Sequence, residues 1–129
     1  MTSNRNVKGT KVSVDLTADV IDVRDIIEEY KEVRESGDPA DRDRADALGE
    51  ILGELAGYGG DEQFEGDWYP ITLVRDSYFV QYAMDFAEDI GAVNPDATWP
   101  NNYIDWDRAA DALQMDYSSV EINGTTYWY

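Results

Sequence analysis

The sequence predicts an α+β protein, and three observations carry that reading. Apolar residues recur at helical spacing in four separate stretches. Two β-prone runs flank Asn123-Gly124 close to the C-terminus, a strong hairpin signal. An apolar run at residues 68–74 carries Pro70, as an extended edge segment would. The expected architecture is an N-terminal acidic helical hairpin, then a small antiparallel sheet packed with two or three helices.

Taken in order, residues 1–18 read as a flexible basic tail, with alternation of Val12, Val14 and Leu16 marking a short strand at 11–16. The first helix starts at Asp19 or Asp22 and runs to Ser36. Val23, Ile26, Ile27, Tyr30 and Val33 form its inner face, and Asp25, Glu28, Glu29 and Glu32 its outer one. Gly37-Asp38-Pro39 breaks the helix and restarts another, with Asp38 as N-cap and Pro39 at the first helical position. The second helix continues to about Ala56, with Leu48, Ile51, Leu52 and Leu55 inward and Asp43, Asp46, Glu50 and Glu54 outward. Residues 19–56 thus form one acidic antiparallel hairpin, and residues 57–129 the α+β domain.

Gly57-Tyr58-Gly59-Gly60 stops the second helix, and residues 61–67 read as an acidic loop. A third helix spans Asp76 or Ser77 to Gly91. Its apolar stripe is Phe79, Tyr82, Ala83, Phe86 and Ile90, and its back carries Gln81, Asp85 and Glu88. A fourth follows Asp105, with Trp106, Ala109, Ala110 and Leu113 inward and Asp107 and Asp111 one turn apart on its flank. In the final hairpin Val120, Ile122, Tyr127 and Tyr129 share one face; a third strand is expected from 68–74 or 11–16. Trp68, Tyr69, Trp99, Tyr103, Trp106, Tyr127 and Trp128 read mainly as core, with part of the set available to a partner.

Composition narrows the function. The 129 residues contain no Cys and no His, which removes disulfides, thiolate metal sites, cysteine nucleophiles and His-based triads. Close carboxylate pairs arise by chance among 28 acids, and Asp105-x-Asp107 lacks the glycine and terminal Glu of a calcium loop. No enzymatic activity, metal or cofactor is therefore expected. The absence of a leader or a long apolar segment suggests a cytoplasmic protein with no membrane partner.

Charge is the dominant signal. The net charge is −18, and from Asp15 onward all 28 acids face only seven of the ten bases, the others being Arg5, Lys8 and Lys11. No Lys or Arg lies between Arg75 and Arg108. Such a balance opposes direct nucleic-acid binding, because a groove that tracks phosphates must be basic. It suits an imitator of nucleic acid instead. Residues 22–35 would form a helix of ~21 Å at 1.5 Å per residue, a length over which one DNA strand presents about six charges. That stretch contains six acids.

The segment YFVQYAMDFAEDIGA, a Trp-Pro loop, and YIDWDRAADALQMDYSSVEINGTTYWY together resemble the phage and plasmid ArdA-type antirestriction proteins over about residues 64–129. The final helix and hairpin, Tyr103–Trp106 through Tyr127–Trp128, carry the most specific part. The resemblance implies a non-catalytic DNA mimic, dimeric as the family is, whose carboxylates occupy the DNA groove of a host type I restriction–modification complex. The expected phosphate-mimicking residues are Asp85, Glu88, Asp89, Asp105, Asp107, Asp111 and Asp116, joined by Asp25, Glu28, Glu29, Glu32, Glu50 and Glu54 from the helical hairpin. The same chemistry would also serve an anti-CRISPR protein blocking the nucleic-acid groove of a Cas effector, or an acidic assembly partner of a basic protein.

Overall fold

The computed structural model describes residues 13–129. Residues 1–12, which hold most of the expected basic tail and the first two positions of the expected strand at 11–16, lie outside this range; residues 13–16 carry no strand. The fold is mixed helix and sheet, with a four-stranded antiparallel sheet, a separate two-stranded one and four α-helices. The chain divides into two compact units between Leu73 and Val74, inside a strand.

The first unit begins with β1 (Val20–Asp22), then α1 (Val23–Glu35) and α2 (Pro39–Leu55). Asp22 caps α1 by accepting the Arg24 N–H at 2.9 Å, and Asp38 caps α2 by accepting that of Ala40 at 3.0 Å, with Pro39 in its first turn. Both caps satisfy amides that the first helical turn leaves without intrahelical partners. Val23, Ile26, Leu48 and Leu55 are fully buried and form the seam between the two helices, with Ile27, Val33, Ile51 and Leu52 around them. Gly49 lies on this seam because Tyr30 occupies the space a Cβ would need, its ring 3.1 Å from that position.

Residues 61–69 are not a loop. They form a hairpin of β2 (Asp61–Phe64) and β3 (Asp67–Tyr69), turning at Glu65-Gly66 with φ of 52° and 83°. Two successive positive φ values match the twist of the flanking strands, as in the Asn-Gly turn at the other end of the chain. Phe64 is buried from this hairpin, edge-on to Tyr30 at 5.9 Å.

β4 (Thr72–Arg75) follows Pro70, which ends β3. The sheet order is β1-β4-β6-β5, where β5 is Ser119–Ile122 and β6 is Thr125–Trp128. In the second unit Val74 and Arg75 pair with Trp128 and Tyr127, and β6 pairs with β5 around Asn123-Gly124, as the two-residue turn predicts. A short 3-10 turn (Asp76–Tyr78) leads into α3 (Phe79–Asp89), and α4 (Trp106–Gln114) starts at the cap Asp105. Val74, Phe79, Ala83 and Ala110 make the core of this unit, with Tyr78, Tyr82, Leu113, Tyr117 and Trp128 packed against it. The expected inner stripe of α3 holds for its first half only: Phe86 and Ile90 are exposed.

Candidate partner-binding surface

In the first unit two acidic stripes face solvent. On α1 the buried residues force Asp25 and Glu28 outward, where both are exposed. Glu32 is half-buried, with its Oε1 shielded from solvent. On α2 the stripe is cleaner: Asp43, Asp46, Glu50 and Glu54 are all exposed. At 100° per residue they fall within one arc, and they span ~16 Å along the axis with no base on that arc. Asp43 and Asp46 therefore extend the set expected from Glu50 and Glu54.

Glu29 is a correction. Expected on the outer face, it is 4% exposed. Its Oε2 accepts from Arg44 Nε at 2.6 Å, and its Oε1 accepts from Arg44 Nη2 at 2.9 Å and from the Val14 N–H at 2.8 Å. Arg44 Nη2 also donates to the Val14 carbonyl at 2.8 Å, and the Glu29 hydrogen bond holds the guanidinium pKa above its usual value. The pair thus grips both backbone groups of one residue. On the helical wheel it lies about 40° from buried Val33 and about 40° from exposed Asp25, so periodicity alone did not decide its side.

Arg24 also sits beside Asp22, at 2.7 Å, and its hydrogen bond holds the Asp22 carboxyl below the usual carboxylate range. Arg34 bonds Glu65 at 3.3 Å and lies over the Tyr30 and Phe64 rings at 5.2 and 5.1 Å. Much of the positive charge of this unit is thereby occupied locally. Clefts of about 330 Å³ at the α1–α2 turn and between α1 and β2 are lined by residues of both signs, and neither gathers a stripe.

The second unit contains ten acids and two bases, Arg75 and Arg108. Asp85, Glu88 and Asp89 are exposed on the back of α3, with Asp85 accepting a 2.9 Å bond from Gln81. Asp105, Asp107, Asp111 and Asp116 are exposed on and around α4, where Asp105 caps the Arg108 N–H at 3.2 Å. Asp76 or Ser77 was expected to start α3; both lie in the 3-10 turn before it, and the Asp76 carboxylate accepts the indole N–H of Trp128 at 2.9 Å and ties the turn to β6. Tyr117 is pushed well above the usual phenol range by burial and then by its 3.1 Å contact with Tyr82. Among the described residues no three acids converge as a metal site would require.

The aromatic residues divide. Tyr69 and Tyr127 are buried, Trp106 and Trp128 half-buried, whereas Trp68, Trp99 and Tyr103 are exposed and stand outside the core. Among the described residues no helix is long and apolar enough to cross a membrane. No family model, curated protein or solved structure matches the chain.

Proposed function

We propose that this protein is a non-catalytic DNA mimic that occupies the DNA-binding groove of a host defence complex, with a type I restriction–modification enzyme as the first target. The observation that carries the reading is the placement of the acids. Exposed carboxylates line the outward arc of each of the four helices, and α2 presents Asp43, Asp46, Glu50 and Glu54 without an intervening base. A single DNA strand would present about five phosphates over the ~16 Å that those four residues span.

Stability does not explain this placement. The last turns of α2, α3 and α4 contain no basic residue, and Glu54, Glu88 and Asp89 lie at the negative ends of their helix dipoles. Each such charge costs roughly 0.3–1 kcal/mol at the surface. Like charges at i,i+4, as in Asp46–Glu50–Glu54, add ~0.2–0.5 kcal/mol per pair. A fold that carries these costs on several helices has its carboxylates arranged for something outside itself. The ArdA-type resemblance read from the sequence of residues 64–129 agrees with this reading and supplies the choice of target.

The test is a competition assay on a purified type I complex with its DNA across a salt series. Inhibition should be strong at low salt, weaken as the Debye length falls below ~8 Å, and be relieved by excess DNA. Neutralising one stripe residue should change it little, since one exposed pair is worth about 1 kcal/mol or less, whereas neutralising a whole stripe should abolish most of it. Absence of inhibition at low salt, or inhibition indifferent to DNA concentration, would refute the proposal.

A further inference from the structure

The second unit leaves several large apolar side chains in solvent. Phe79 and Ala83 are buried on the inner face of α3, but the same face continues through Phe86 to Ile90, which is 61% exposed. Beyond it the chain does not trail away. The Ala92 N–H bonds the Ala87 carbonyl at 2.9 Å, and Asn101 Nδ2 reaches back to the Asn94 carbonyl at 2.8 Å. The N–H groups of Asn102 and Tyr103 bond the carbonyls of Thr98 and Pro100 at 2.9 and 2.8 Å. This hydrogen-bonded loop holds Trp99 at 75% and Tyr103 at 80% exposure, while Met115 past the end of α4 is 84% exposed.

Several large apolar side chains held open on one hydrogen-bonded scaffold are a candidate protein contact site. Trp and Tyr dominate the energetic centres of protein interfaces because they bury much area with few torsions to freeze. Charge selects the kind of partner. The same unit contains Asp85, Glu88, Asp89, Asp105, Asp107 and Asp116 against two arginines, so a second copy would bring carboxylates against carboxylates. A basic protein surface with apolar recesses meets both properties.

We infer that Trp99 and Tyr103, with Ile90, are apolar anchors that seat this unit on the protein walls beside a basic groove, giving the mimic an affinity component that salt does not remove. This inference rests on the groove-mimic reading above. It also distinguishes the protein from a mere polyanion, whose binding would be entirely screened.

The experiment measures affinity for the purified type I complex from low to high salt for the native chain, Trp99→Ala/Tyr103→Ala, Ile90→Ser, and the carboxylate variant Glu88→Gln/Asp107→Asn/Asp111→Asn. Circular dichroism checks that each is folded, and sedimentation of the free proteins runs alongside. The two anchor variants should each lose about tenfold or more at every salt concentration, as truncated interface centres do. The carboxylate variant should lose affinity at low salt and converge on the native chain at high salt. Anchor variants that lose less than tenfold overturn the inference and leave groove mimicry standing. A native chain that does not bind at low salt overturns both. A native dimer that dissociates on Trp99→Ala/Tyr103→Ala makes a second copy the occupant and also overturns it.

Discussion

Replacing Arg44 tests the one acid that the structure removes from the binding surface. The Glu29 side chain is 5% exposed and that of Arg44 31%. Arg44→Met strips two short charge-assisted bonds from a buried carboxylate that still accepts from the Val14 N–H, and it also removes a donor to the Val14 carbonyl. Breaking a fully buried ion pair from one side costs about 3–5 kcal/mol. Water reaches the arginine side of this pair, so the lower figure is discounted to ~2 kcal/mol. Glu29→Gln is milder, at ~1 kcal/mol, because the amide oxygen still accepts from Val14 and Arg44 can hydrate through its open edge. The double variant should cost ~2 kcal/mol, less than the sum, giving a coupling of about 1 kcal/mol. Urea unfolding followed by far-UV circular dichroism, with hydrogen exchange over residues 23–55, measures all three. Additive single effects, or a loss below ~0.5 kcal/mol for Arg44→Met, would refute the argument.

Neutralising the α2 stripe, Asp43→Asn/Asp46→Asn/Glu50→Gln/Glu54→Gln, should move stability and inhibition in opposite directions. Relief of like-charge pairs and of the dipole clash stabilises by ~1 kcal/mol in urea unfolding, while affinity for the target groove falls. Gly60→Ala should be far worse than Gly124→Ala. A Cβ on Gly60 would run into the Tyr69 carbonyl oxygen, whereas one on Gly124 meets nothing within 4 Å and costs only the ~1–2 kcal/mol of its left-handed backbone. Comparable unfolding midpoints for the two would contradict this.

The Tyr82–Tyr117 pair predicts an alkaline weakness. The folded state holds the Tyr117 proton more tightly than the ordinary phenol value of 10.0, so its contribution is complete below that pH and is lost as pH rises toward the higher folded value. Tyr117→Phe removes that loss but costs ~1 kcal/mol at neutral pH, because Tyr82 loses its partner. The stability gap between native and variant should therefore narrow above about pH 10, and a gap constant with pH would show that Tyr117 does not titrate with unfolding.

The helices and the last hairpin were legible because their signals are local. Caps at Asp22, Asp38 and Asp105 act within three residues, and Asn123-Gly124 supplies its own positive φ values of 52° and 82°. Helical periodicity alone placed Asp25, Glu28, Glu50, Glu54, Asp107 and Asp111 on solvent faces, since each helix buries one arc and its acids must take the other. The turn at Glu65-Gly66 escaped because glutamate rarely adopts φ of 52°, so only the pairing of β2 with β3 reveals it. Long-range partners decided the rest. Glu29 is buried where Arg44, fifteen residues on, and the backbone N–H of Val14 donate to its carboxylate. Asp76 is drawn to the indole of Trp128, 52 residues away. Trp99 and Tyr103 carry the composition of core but sit in a loop whose own hydrogen bonds close before the core is reached. Side-chain type says what a residue would gain by burial; only tertiary structure says whether a partner is there to bury it.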